Sequence, residues 1–226
     1  MITGIICAMK SELKGLTDKQ KIIKEEGIAG RTFYHLKINN SKVICVVSGI
    51  GKANAAITAT ILIERYSPKR IISIGVAGGT ERAKKGDLVI GTKLCYHDFD
   101  LRHFNHTFGS VPGRTLYFES NQKLISEAKK AAEEIKLNYL EGLITSGDAF
   151  IKNYEQIKLA RESFEPIFAV EMESTAIAQA CVDYDIPFLA LRFVSDIIEE
   201  DNQEESYVEF EKKCNVIIKN LLWQMI

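Results

Sequence analysis

The stretch from Val170 to Asp196 most constrains what this chain can fold into, because it reads as strand, helix and strand with acids at the strand ends. Glu171 and Glu173 stand where the first strand ends, and Asp196 stands where the second apolar run, from Phe188 through Val194, ends. A nearly continuous apolar run of that kind suits a strand covered on both faces. In an α/β sheet the crevice beyond the carboxyl ends of the strands is where ligands bind, so carboxylates placed there point to a site rather than to packing. Arg192 interrupts the second run. A charge in the middle of a buried strand is costly unless it meets a carboxylate or an anion, so Arg192 is expected to serve the same site as Asp196 or a neighbouring acid.

Size and charge then narrow the class. The chain has 226 residues, 46% of them hydrophobic, which is enough for one large α/β domain spanning 1–226. Lysine plus arginine number 29 against 30 acidic residues, a net charge of -1, so the count gives no basic patch and argues against nucleic acid as a partner. The five cysteines are spread through apolar runs with no C-x-x-C pair, as expected for buried thiols in a reducing compartment. No apolar stretch approaches the roughly 18 residues of a membrane span, and the N-terminus lacks a basic leader, so the expected location is the cytoplasm, away from membranes.

Along the chain, residues 2–9 read as a buried strand turning into a helix that carries Glu12. Residues 31–38 and 42–48 flank Asn39, Asn40 and Ser41, a hairpin pattern. A helix rich in alanine follows over 52–66, introduced by Gly49-Ile-Gly51. A phosphate-cradling reading of those glycines fails on spacing: Asn54 replaces the third glycine of a dinucleotide fingerprint, and Ala53 stands where a P-loop needs Ser or Thr. Arg70 to Gly79 is a second buried strand ending in glycines, and 86–96 a third. A long irregular segment, 97–117, opens with His97, Asp98, Asp100, His103 and His106, whose spacing matches no compact metal motif. Residues 121–136 form an amphipathic helix, the run from Leu140 to Ile151 holds a strand ending at Ser146-Gly-Asp148 with Phe150 and Ile151 beyond it, and 199–205 is an acidic run suited to a solvated loop. Apolar residues from Tyr207 to Met225, spaced by three and four, predict a closing helix. Strands alternate with helices throughout, giving a three-layer α/β fold with a mixed central sheet flanked by helices.

Read together, several of these pieces resemble one family. Ala8-Met9 with Glu12, Ser48 to Ala55, Gly75-x-Ala-Gly-Gly79, Tyr96-His-Asp-x-Asp100, Ser146 to Ile151, Glu171-Met-Glu-Ser174 and Arg192 to Asp196 are similar, in that order, to the 5'-methylthioadenosine/S-adenosylhomocysteine nucleosidases of the purine nucleoside phosphorylase-like superfamily. The resemblance implies hydrolysis of the bond between adenine and ribose C1', with no cofactor and no metal. By resemblance Asp196, with Ser195 beside it, is the acid at adenine N7. From the residues alone, a helix N-cap at Ser195 or Asp196 is an equal alternative. Glu12 is implied to orient the water with Arg192 as its neighbour, although a first-turn surface carboxylate is the plainer reading of Glu12. Glu173 is implied to grip the ribose hydroxyls with Met172 packed on the sugar, Phe150 to stack on adenine and the Ile151 backbone to read its edge. Ala8, Val76, Ala77, Gly78 and Glu171 complete the implied substrate site. Met9, Ile50 and Tyr207 are implied to form the 5' pocket, closed by Phe104 and Pro112 from the second subunit of a homodimer. Two positions depart from the family pattern: Val76 replaces the usual Ser or Thr, and Ile198-Glu199 the usual Ala-Asp.

Overall fold

A computed structural model describes residues 1–17 and 22–226. The strands are β1 (Ile2–Cys7), β2 (Ile22–Ile28), β3 (Arg31–Ile38), β4 (Ser41–Val47), β5 (Arg70–Gly79), β6 (Leu88–Tyr96), β7 (Phe118–Glu119), β8 (Tyr139–Ser146), β9 (Ile167–Glu171) and β10 (Phe188–Ile197). The helices are α1 (Lys10–Leu13), α2 (Lys52–Tyr66), α3 (Gln122–Glu134), α4 (Lys158–Ser163), α5 (Ser174–Asp183) and α6 (Gln203–Met225). Expected strands, hairpin and amphipathic helices are present, with three differences. Strand β8 stops at Ser146, two residues before the expected end at Asp148. Strand β2 extends the hairpin on its outer edge, its mostly exposed residues having given no apolar signal. The acidic run is only partly loop, because α6 already begins at Gln203.

Alternation of side chains along the strands builds the layers. Ile5, Cys7, Ile72, Ile74, Leu191 and Phe193 pack with Leu13, α3 and α6 on one face, while Ile6, Ile71, Ala190 and Val194 pack with α2 and α5 on the other. Fully burying such side chains contributes about 1.5–3 kcal/mol each, so the alternation decides the register of every central strand.

The sheet is mixed and also closes on itself. Strands β4, β1, β5 and β10 run parallel. Strand β5 forks, pairing with β1 over residues 70–73 and with β9 at Gly78 and Gly79, while β10 lies along its other edge. Because β10 pairs β6, β6 pairs β8 and β8 pairs β9, strands β5, β10, β6, β8 and β9 form a closed ring. The crevice expected at an open sheet edge is therefore the mouth of this ring, into which the ends of β5, β9 and β10 converge. No helix among the described residues is long and apolar enough to cross a membrane.

Candidate active site

A cavity opens at that mouth, a concave setting of the kind in which small-molecule sites form. Its walls carry Ala8, Met9, Glu12, Ile50, Val76, Ala77, Gly78, Phe150, Ile151, Glu171, Met172, Glu173, Arg192, Asp196 and Tyr207, all expected from sequence, together with Ala149 and Val170, which were not. Ser195 is buried behind Asp196, whereas Phe104 and Pro112 are exposed and away from the cavity.

Asp196 faces inward because of a β-bulge. The β5–β10 register passes from Val194 opposite Ala77 directly to Asp196 opposite Gly78, leaving Ser195 as the extra residue. A bulge re-aims the side chains beyond it. One Asp196 oxygen lies 2.6 Å from the Ser195 hydroxyl and the other accepts from Gln203 Nε2 at 2.7 Å. Burial pushes the Asp196 pKa up, while the Ser195 and Gln203 donors and Lys85 pull the other way without cancelling it. Asp196 caps no helix, since α6 starts after Asn202.

Glu12 also lines the cavity and is almost completely buried. Its carboxylate accepts from the amides of Met9 at 2.9 Å and Val76 at 3.0 Å, so it is pinned to the end of β1 and the middle of β5 rather than lying on the surface. Burial raises its pKa, opposed by the charge of Arg192 and by backbone donors. A Cβ on Gly75 would run into this carboxylate, so the glycine is what admits it.

The two acids after β9 differ in environment. Glu171 accepts from the Ser146 and Ser174 hydroxyls, from the amides of Glu173 and Ser174, and from Arg192 Nε and an Arg192 terminal nitrogen at 3.1 and 2.7 Å. Burial alone would raise its pKa, but Arg192 and these donors hold it below the ordinary carboxylate range. Glu173 has one donor, the Gly51 amide at 2.8 Å, and burial followed by the negative charge of Glu171 pushes it up to about 7. Every oxygen of Glu171 is thus committed inside the protein, while Glu173 keeps acceptor capacity facing the cavity. Arg192 thus meets a neighbouring acid, as its place in a buried strand leads one to expect. Arg192 gives no hydrogen bond to Glu12; it is held by Glu171, Ser73 and the Leu191 carbonyl, and bears on Glu12 only through its field. Glu171 shapes the wall and organises the start of α5 instead of offering free oxygens.

At the outer end, Phe150 and Tyr207 meet edge to face with centroids 5.8 Å apart, and the Tyr207 hydroxyl lies 3.1 Å from Met9 Sδ. The Ile151 carbonyl accepts from Gln203 Nε2 at 2.8 Å. The arrangement can hold a flat apolar group beside an acid at one end and a polyol between carboxylates at the other.

Comparison with known proteins agrees. Residues 2–226 match the family described as the phosphorylase superfamily. A protein of Bacillus thuringiensis called 5'-methylthioadenosine/S-adenosylhomocysteine nucleosidase is 38% identical over 94% of this chain and 91% of its own. The crystal structure of the Neisseria meningitidis nucleosidase with methylthio-immucillin-A superposes with a TM-score of 0.92 at 32% identity, covering 99% of this chain and 97% of that one. The chain belongs to the 5'-methylthioadenosine/S-adenosylhomocysteine nucleosidase family. The Colwellia psychrerythraea nucleosidase in complex with adenine is 36% identical with a TM-score of 0.90, covering 100% of this chain and 94% of that one. A futalosine hydrolase of Helicobacter pylori shares the fold at a TM-score of 0.92 and 28% identity, covering 100% of this chain and 97% of that one.

The family is one of enzymes, and near the cavity the partners of two buried polar residues were not readable from the sequence. Gln203 lies in the acidic run and is buried against Asp196 and Ile151. Ser146 serves Glu171 and Thr175. Polar residues whose partners lie tens of positions away leave no local periodicity to read.

Proposed function

We propose that this enzyme hydrolyses the N-glycosidic bond of 5'-methylthioadenosine and S-adenosylhomocysteine, and of 5'-deoxyadenosine, giving adenine and the 5-substituted ribose. The observation that carries the reading is the meeting, in one cavity, of an acid with a raised pKa, Asp196, a pinned carboxylate, Glu12, and a third acid, Glu173. Asp196 gives its proton to adenine N7 as the C1'–N9 bond breaks and its electron pair moves into the purine. Water adds to C1' and passes a proton to Glu12. Glu173 accepts from the ribose 2'- and 3'-hydroxyls, Met172 packs on the sugar, Phe150 stacks on adenine and the Ile151 backbone meets the base edge. Proton transfer of this kind contributes roughly 10²–10⁴-fold, against enhancements of about 10⁶ or more. The remainder is assigned to positioning and to the negative charge facing the cationic ribose.

Met9, Ile50 and Tyr207 form the 5' pocket, which Phe104 and Pro112 of the partner subunit complete in a homodimer. The exposure of Phe104 at 68% and of Ile50 at 55% supports a second copy at this mouth.

A phosphorylase would need cations around an anion, and Arg192, the one cation on the cavity wall among the described residues, is already neutralised by Glu171. The test is adenine release from methylthioadenosine in phosphate-free buffer. Release is expected without phosphate, and Asp196→Asn is expected to bind ligand yet lose about 10²–10⁴-fold in kcat; a strict phosphate requirement would sink the hydrolase reading. A panel including S-adenosylhomocysteine, 5'-deoxyadenosine and aminofutalosine then ranks the substrates.

A further inference from the structure

Three motifs contain charged residues that the proposed reaction leaves without a role: Lys52 after the glycine turn, Asp98 at the end of β6, and Asp148 after β8. None of the three lines the cavity, yet they meet. Both Asp98 carboxylate oxygens lie 2.6 Å from Lys52 Nζ. The Asp148 amide donates to Asp98 at 2.9 Å, and Asp148 Oδ1 accepts from the Lys52 amide at 2.8 Å. Lys52 Nζ also stands 3.7 Å from Asp148 and 5.4 Å over the Tyr96 ring.

The cluster bears on the cavity through one backbone unit. Lys52 opens α2, so its amide is one of the donors a helix start leaves unpaired, and Asp148 supplies the acceptor with a charge that the helix dipole favours. The preceding amide, that of Gly51, is the donor to Glu173 at 2.8 Å. Gly51 holds a φ of 96°, and a Cβ there would sit 3.1 Å from Asp148 Oδ1, so turn and acid are fitted closely. Half-exposed ion pairs contribute little to stability, about 0–1 kcal/mol. Precise placement of one amide is a better account of three charges joining three loops.

We propose that Lys52, Asp98 and Asp148 form a positioning clamp that fixes the Gly51 amide and thereby the orientation of Glu173 toward the sugar hydroxyls. The inference rests on the reading of Glu173 as the ribose grip. The clamp ties the glycine turn, the start of the 97–117 segment and the loop carrying Phe150 into one unit, and its output is the sugar end of the site.

The test compares Lys52→Met, Asp148→Ala and Asp148→Asn, the last of which keeps an oxygen for the Lys52 amide. Two quantities are measured: kcat/KM for methylthioadenosine, and the affinity for free adenine, which has no sugar. Lys52→Met and Asp148→Ala are expected to lose about tenfold in kcat/KM, chiefly through KM, with adenine affinity changed by less than about twofold and Asp148→Asn close to the unaltered protein. In a Glu173→Gln background Lys52→Met should cost nothing further, because interacting residues are non-additive. Equal losses for adenine and nucleoside, or full additivity with Glu173→Gln, would overturn the clamp while leaving the hydrolase reading intact. Failure of the unaltered protein both to cleave the nucleoside and to bind adenine would overturn that reading and the clamp with it.

Discussion

Glu171 and Glu173 are two residues apart and chemically alike, and the fold makes them opposites. Two hydroxyls, two backbone amides and an arginine keep Glu171 ionised, and burial, reinforced by the Glu171 charge, raises Glu173 to about 7. Environment splitting two carboxyls in this way is how sites assign roles. The proposed sugar grip needs Glu173 ionised, because only the carboxylate accepts from both hydroxyls. A group with a raised pKa keeps its proton up to that pKa, so nucleoside kcat/KM should fall by about tenfold per unit as pH drops below about 7. An ordinary carboxylate would not titrate until the acid range. Glu173→Gln should abolish this limb; its persistence in that variant would assign the titration to Glu12 instead. Asp196 is required in the opposite state, and burial raising its pKa keeps the proton available. The strand-end acids Glu171, Glu173 and Asp196 were legible in the residues, whereas Glu12 came from the resemblance, and which acid Arg192 would hold was not readable, because nothing local distinguishes Glu12 from Glu171 as its partner.

At the scale of elements, small irregularities in otherwise regular strands make the site. The Ser195 bulge in β10 turns Asp196 toward the cavity, and Gly75 in the middle of β5 leaves room for Glu12. Gly75→Ala keeps the strand compatible with its backbone but places a methyl against a buried carboxylate. Overpacking of a tight core costs typically about 1–3 kcal/mol. Displacement of Glu12 by that methyl should remove most activity while the protein still folds, which thermal unfolding and adenine release measured together would check. Full activity in Gly75→Ala would mean that Glu12 does not need its present seat. The 3.6-residue pattern of α3 and α6 and the alternation in β5 and β10 were readable because each element buries one face or both. Strand β2 and the short helix α4 were missed: the first buries little, and the second spans six residues, too few for a period to emerge.

At the scale of the molecule, closure of β5, β10, β6, β8 and β9 into a ring brings strand ends from distant parts of the chain around one mouth. Phe104 and Pro112 lie outside that mouth on the 97–117 segment, where Phe104 is 68% exposed, as a contribution to a second copy would require. Phe104→Ala should leave the fold intact, since the side chain is mostly exposed, yet raise KM for methylthioadenosine more than for adenosine, which lacks the 5' thioether. Sedimentation should show a dimer; a monomer with unchanged KM in the variant would remove Phe104 of the partner subunit from the pocket.

The sequence by itself determined the layered α/β class, the strand and helix faces and the strand-end position of Glu171, Glu173 and Asp196, because burial periodicity and strand-end polarity are local properties of the chain, whereas Glu12 stood out only through the family resemblance. Only the tertiary structure decided the ring, the bulge at Ser195, the pairing of Arg192 with Glu171 and the burial of Gln203 against Asp196. Each of these depends on which distant segments share a low-dielectric space, where one charge or donor resets the chemistry of its neighbour.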